Sequence, residues 1–350
     1  MTTRRRWMGI GQPAAAVLLS VLVAVLVALP LVLSPADARS IPVEAVSTGS
    51  SAQSSSAQSS IAQSSSSLAG SSALPGQRTP DGITLQVGPG RPAGDSRVVR
   101  MTVDGRERGY LLVPPLGLSP AAPAGLLVVL HQDIGSARAV AEGLGLDALR
   151  RQGIALAYPA GVGGSWNAGT CCGVAKKQGV DDVAFVNAVL DDASRRVRVD
   201  PRRRGLLGYS GGGMLAYRVL CSPHRPLAAV VEVSGSLEAP CAPGLRLPDL
   251  LSIHGELDGT VGLTKAIRVR HLGMSPRTVE STLTTVTELA GCSNRRTTDG
   301  SDARVVRWTR CASGSRVDVQ IVRGAGHGWD DIGAARRAIP FLVERLARKA

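Results

Sequence analysis

Hydrophobic and polar positions are arranged in three ways along the chain, and each predicts a different kind of segment. Between residues 14 and 33 nearly every position is apolar. Between residues 47 and 72 apolar side chains almost vanish and 14 of 26 residues are Ser. From about residue 81 onward, short apolar runs alternate with stretches of helical periodicity. The runs predict strands at 83–87, 98–103 and 110–113, the last two joined by a turn at Asp104-Gly105. Residues 125–131 (GLLVVLH) are apolar up to the final His, as a strand buried on both faces requires. Further strands are predicted at 154–158, 204–209, 228–233, 250–254, 305–308 and 317–322. Helical periodicity covers 137–151, 181–196, 211–220 and 332–348, the last with a kink expected at Pro340. Ser275-Pro276 reads as an N-cap and first helical residue opening a helix that stops near Gly291. Alternating β and α elements predict an α/β fold, with a mostly parallel central sheet and helices on both faces. Ligands of such sheets bind beyond the carboxyl ends of the strands.

The two N-terminal patterns are read as an address and a tether. Arg4, Arg5 and Arg6 precede the apolar run, and Ala36-Asp37-Ala38 follows it with small residues where a signal peptidase cuts. Residues 1–38 are therefore expected to be a secretory signal peptide. The apolar run is also long enough to span a bilayer, so an uncleaved anchor, the one membrane link the chain offers, is the alternative. Residues 39–80 are expected to be a Ser-rich disordered linker, unable to bury enough apolar surface to offset ordering entropy. Residues 81–350 form the folded domain. The protein is thus expected outside the cell, held at the cell envelope if the anchor is retained.

Composition narrows the function. Apolar residues make up 44% of the 350, which excludes a wholly disordered chain. Aromatics are only 3%, too few for an appended carbohydrate-binding module. The net charge of +13 comes from 36 Arg and 4 Lys. The Arg residues are scattered and no nucleic-acid motif accompanies them, so nucleic acid is not the expected partner. Six cysteines in an exported chain read as disulfides. Cys292 and Cys311 flank a short insertion and are the favoured pair, with Cys221 and Cys241 next. Cys171 and Cys172 are then left over, joined to each other or exchanged with the other partners. The His and Cys lack zinc-ligand spacings, and neither metal nor cofactor is expected.

Gly208-Tyr209-Ser210-Gly211-Gly212 matches G-x-S-x-G between a predicted strand and a predicted helix. That is the setting of a nucleophile elbow, with Ser210 as nucleophile and the Gly211 N–H facing a developing oxyanion. A serine hydroxyl needs a base, and in this arrangement the acid and the base follow the serine in the chain. His327, flanked by glycines after the last predicted strand, is the candidate base. Asp258, after the strand ending at His254, is the candidate acid, with Glu256 as runner-up.

These residues resemble the esterases grouped with extracellular polyhydroxybutyrate depolymerases and bacterial feruloyl and acetylxylan esterases. The resemblance runs from about residue 97 to 350 and rests on several strings. They are Leu130-His131, Tyr158-Pro159, Ser165-Trp166-Asn167-Ala168-Gly169 with Cys171-Cys172-Gly173, Asp181-Asp182-Val183-Ala184-Phe185, the Ser210 elbow, His254-Gly255-x-x-Asp258 and Gly326-His327-x-Trp329. It implies an α/β-hydrolase carboxylesterase with Ser210, Asp258 and His327 as its triad, acting through an acyl-enzyme. One departure stands out: small residues usually follow His-Gly, but here the string is His131-Gln132-Asp133-Ile134-Gly135. The second oxyanion N–H then falls to Gln132 or Asp133, beside a carboxylate. Trp166, Trp329 and Tyr209 lie in or next to the motifs and are expected at the substrate cleft, where the two Trp rings would stack on substrate or wall it. The expected partner is an ester: a polyester, a polysaccharide ester or an envelope lipid. The alternatives are a cell-envelope acyltransferase and an inactive hydrolase-fold binding protein.

Overall fold

The computed structural model describes residues 95–119 and 121–348. The expected signal peptide, the linker and the strand at 83–87 lie outside the described residues. The described strands are β1 (Arg97–Val103), β2 (Arg106–Val113), β3 (Ala124–Leu130), β4 (Ile154–Pro159), β5 (Val199–Tyr209), β6 (Ala229–Val233), β7 (Asp249–Gly255), β8 (Ser293–Asp299), β9 (Ala303–Arg310) and β10 (Val317–Val322). The helices are α1 (Ala137–Gly143), α2 (Gly173–Lys177), α3 (Asp182–Arg196), α4 (Gly211–Leu220), α5 (Val279–Leu289) and α6 (Ala334–Leu346).

The strands form one sheet in the order β1-β2-β4-β3-β5-β6-β7-β10-β9-β8. From β4 to β10 every neighbouring pair is parallel. At each edge an antiparallel pair is added, so the sheet is mixed around a parallel centre. All seven residues of β3 are buried, which is why that run carries no polar alternation. One face is covered by α3, α4 and α5 through side chains such as Phe185, Leu215 and Val286. The other is covered by α1 and α6 through Val140, Phe341 and Leu342. Asp104 and Gly105 both have positive φ, as the two-residue turn between β1 and β2 requires.

Several expectations need correction. The helix predicted over 137–151 breaks: α1 stops at Gly143, Gly145 turns left-handed at φ 66°, and Leu146–Gln152 winds as a 3-10 helix. The break lets Leu146 and Leu149 bury against the sheet. The helix predicted from Ser275-Pro276 opens instead at Thr278, whose hydroxyl accepts from Ser281 N. The N–H groups of its first two residues are bonded outside the helix: Val279 N and Glu280 N donate to the carbonyls of Gly262 and Leu263. Strand β8 was not expected at all. Its sequence, SNRRTTD, is exposed throughout and has no apolar position to reveal a strand. It exists because β9 offers it a ladder.

The cysteines pair as favoured. Cys292–Cys311 staples the β8–β9 ribbon, Cys221–Cys241 ties the end of α4 to the loop after β6, and Cys171 is joined to Cys172. Helix α6 keeps Pro340 inside it. Among the described residues no helix is long and apolar enough to cross a membrane.

Candidate active site

Parallel strands send their carboxyl-terminal loops to one edge, and all the candidate residues lie there. Strand β5 ends at Tyr209, Ser210 takes φ 54° and ψ −115°, and α4 starts at Gly211. A non-glycine residue at positive φ is strained, and the surroundings enforce it. Ser210 N donates to Val233 O of β6 at 2.8 Å. A side chain on Gly208 would run into the Gly212 carbonyl, and one on Gly212 into the Leu130 carbonyl. The turn therefore closes only with glycines at these positions, and it lifts the Ser210 hydroxyl off the sheet.

The loops after β7 and β10 are stitched together by Glu256 N to Val322 O and Leu257 N to Ala325 O, both 2.8 Å. This brings Asp258 to His327 although 69 residues separate them. His327 Nδ1–H donates to Asp258 Oδ2 at 2.8 Å, and the Ser210 hydroxyl donates to His327 Nε2 at 2.9 Å. Burial works to raise the Asp258 pKa, but hydrogen bonds from His327, Thr260 N and Val261 N outweigh it and hold the carboxyl below its ordinary value. Glu256 is exposed, and its carboxylate accepts from Gly324 N rather than reaching the imidazole. The arrangement can transfer the serine proton to the imidazole and hold the resulting imidazolium beside a fixed carboxylate.

The loop after β3 faces this chain of bonds. Asp133 N lies 3.0 Å from where a Cβ on Gly211 would sit, so the two backbone N–H groups are neighbours. The Asp133 carboxylate turns toward α2, with Oδ1 3.4 Å from where a Cβ on Gly173 would sit. Burial raises the Asp133 pKa. The carboxylate is thus turned aside, and its loop can present a backbone N–H.

Trp166 does not line an open cleft: it is 1% exposed. Its ring packs on His131 with centroids 4.5 Å apart, and its Nε1–H donates to His131 O at 2.8 Å. The reason is the fully buried His131, whose Nδ1–H donates to Gln132 O while Nε2 accepts from Gly161 N. Both ring nitrogens are committed, and burial pulls the His131 pKa down to about 4. The rest of the motif braces the same loop region. Asn167 N donates to Asp182 Oδ2, Asp182 is buried against Arg108, and Gly169 (φ 108°) leaves no room for a side chain against the Glu238 carbonyl. Nothing in the sequence marked Arg108 or Glu238, since each stands alone in an unremarkable run.

His131 yields a pH prediction. Its folded-state pKa lies below the ordinary 6.5, so the native state favours the neutral ring. Stability is full above about pH 6.5, falls as pH drops through that value, and levels off below about pH 4. The shift corresponds to a loss of about 3 kcal/mol. Melting temperature against pH for wild type and His131→Gln checks this. The variant should be less stable at pH 7 and should lose less of its remaining stability on acidification.

Tyr209 and Trp329 border a cavity beside the loop after β10. They meet edge-on at 5.6 Å and, with Gln132, Val140 and Leu144, bound a cavity of about 360 Å³. Tyr209 OH donates to His327 O at 3.3 Å.

A second buried cluster lies under the elbow and was not anticipated. Glu232 Oε2 accepts from Ser252 Oγ at 2.9 Å, from His254 Nε2 at 3.0 Å and from Tyr217 OH at 3.3 Å, linking α4, β6 and β7.

Comparison with known proteins places the chain among esterases. The chain is 34% identical to "Putative esterase NocK" of Nocardia uniformis subsp. tsuyamanensis over 68% of its own length and 76% of the relative's. It is 30% identical to feruloyl esterase C of Emericella nidulans over 55% of its length and 73% of the relative's. The chain belongs to the esterase family that includes these two proteins. This esterase is therefore a carboxylic ester hydrolase. Among solved structures, it superposes on an acetyl xylan esterase from Aspergillus awamori with a TM-score of 0.52 at 14% identity, covering 71% of the chain and 99% of that structure. That likeness establishes the α/β-hydrolase fold of this esterase. No protein-family model matches the sequence.

Proposed function

We propose that the protein is an exported serine carboxylesterase that works through an acyl-enzyme. The observation that carries this reading is the continuous hydrogen-bonded chain Ser210–His327–Asp258. Ser210 attacks the ester carbonyl as its proton passes to His327 Nε2, and Asp258 stabilises the imidazolium. The Gly211 and Asp133 N–H groups receive the oxyanion. His327 then returns the proton to the departing alcohol, and water repeats the sequence to release the acid. An assembled proton relay also favours an enzyme over an inactive binding protein.

The acyl group enters the cleft beside Tyr209 and Trp329. A cavity of about 360 Å³ with two rings and the aliphatic side chains of Val140 and Leu144 suits an aromatic or short acyl group. Relatives named feruloyl esterase support the same reading. Turnover by the purified protein of methyl ferulate, p-nitrophenyl acetate and p-nitrophenyl octanoate tests it. Methyl ferulate and the acetate should both be cleaved, with kcat/KM for the bulky octanoate about tenfold lower or more, since even one methylene beyond what the cavity holds costs about tenfold. No hydrolysis of any of the three would overturn the reading.

A further inference from the structure

Of five exposed large hydrophobics among the described residues, three lie in the carboxyl-edge loops. Ile134 is 81% exposed, Leu257 67% and Val174 41%. Ile134 follows Asp133 in the loop that faces Gly211, and Leu257 precedes Asp258. Val174 and Ile134 flank one turn: a Cβ on Gly163 would touch Val174 at 2.9 Å, and Gly135 N donates to Gly164 O at 3.2 Å. Ile134 and Val174 thus flank one turn next to the loop that faces Gly211, and Leu257 adjoins Asp258.

Ile134 is also strained. Its φ is 57°, a region that β-branched residues avoid. Glycine, asparagine or aspartate would satisfy the turn with less strain. Such strain persists where the surroundings impose it, and here it leaves a butyl group in water at the mouth.

The segment that follows Leu257 and Asp258 carries charge of one sign. From Gly259 to Arg277 the chain carries Lys265, Arg268, Arg270, His271 and Arg277, and no acid. Elsewhere most arginines meet carboxylates, as Arg225 meets Asp191 and Arg345 meets Asp249. Among the described residues none of these four side chains forms an ion pair, although Arg277 N donates to Glu238 Oε1 at 2.8 Å. The segment follows Asp258 and is folded back by the Val269–Met274 bridge, and its His271 acts electrostatically on Asp133. Lys176 and Lys177 extend the same charge beside Val174. Glu256, beside Leu257, and Asp330 and Asp331, at the cleft, lie around the loop after β10, so the cations are gathered on the strap side of the mouth.

Apolar tips among unpaired cations match an interface that is oily beneath and anionic on top. We propose that the mouth docks on an anionic lipid surface and draws its ester substrate from it. This rests on the esterase reading above and names how the substrate is presented. Ile134, Leu257 and Val174 dip below the headgroups, while Lys265, Arg268 and Arg270 meet their phosphates. Charge complementarity selects lipid over a neutral polyester, and the apolar tips select it over a soluble acidic polysaccharide.

The test compares two substrates for the full chain. One is p-nitrophenyl octanoate carried in vesicles of phosphatidylglycerol and phosphatidylcholine, or of phosphatidylcholine alone. The other is p-nitrophenyl acetate in solution. The wild type should cleave the carried ester about tenfold faster in the anionic vesicles, since each cation near such a surface is worth roughly fivefold. Ile134→Ser, and separately Arg268→Gln with Arg270→Gln, should each lower that rate about fivefold or more. Turnover of soluble acetate should stay within about twofold, because none of these side chains touches the reacting atoms. Equal rates in both vesicle types, or variants that leave the vesicle rate intact, would overturn the proposal. So would acceleration only on a neutral polyester film or on an acetylated acidic polysaccharide. Absence of acetate turnover in the wild type would instead overturn the esterase reading itself.

Discussion

Ser210→Ala lowers kcat for p-nitrophenyl acetate by about 10⁴-fold or more and leaves the fold intact. The size follows from the role proposed for the hydroxyl, which among the described residues is the hydrogen-bond partner of His327 Nε2. The residual rate would come from oxyanion donors and binding alone. Folding should survive because the hydroxyl makes one hydrogen bond, to His327, and the elbow is built from glycines and backbone bonds. Alanine also keeps the strained φ no worse than serine does. Circular dichroism and melting temperature check the fold, and stopped assays at high enzyme concentration set the limit on kcat. A variant with wild-type turnover would move the nucleophile elsewhere.

Asp258→Asn lowers kcat by about 10⁴-fold, whereas Glu256→Gln changes it less than about threefold. Two residues separate these carboxylates, yet their surroundings differ. Asp258 is buried and accepts from His327 Nδ1 and from the backbone N–H groups of Thr260 and Val261. Asparagine in its place would offer an amide N–H toward the ring, favour the wrong tautomer and leave Nε2 unable to take the serine proton. Glu256 is exposed and bonded to Gly324 N, so its neutral amide loses little. The measurement is kcat for both purified variants at pH 7 to 8. A near-normal Asp258→Asn beside an inactive Glu256→Gln would reassign the acid.

The elements that position the site were legible where burial imposed a pattern. Strand β3 is apolar throughout because both its faces are covered, and the glycines of the elbow are required by backbone contacts that any such turn makes. The elements that escaped have no pattern to read. Strand β8 is polar at every position and is a strand only because β9 pairs with it. The break between α1 and the 3-10 helix hangs on one left-handed glycine inside an otherwise helical periodicity.

The site divides the same way. Chain order and local context were enough to propose Ser210, Asp258 and His327, because each sits just past a recognisable strand. Trp166 shows the opposite case. Its motif was conspicuous, but its place under the loop after β3, bonded to His131 O, depends on contacts across 35 residues. The amino-acid sequence by itself determined the parallel α/β core, the elbow and the order of the three candidate residues, and favoured two of the disulfide pairs, since these rest on local periodicity and spacing. Only the tertiary structure separated the surroundings of Asp258 from those of Glu256, withdrew Trp166 from the cleft, and set the loop carrying Ile134 beside Gly211. Those outcomes depend on distances between residues far apart in the chain, and no local pattern encodes such distances.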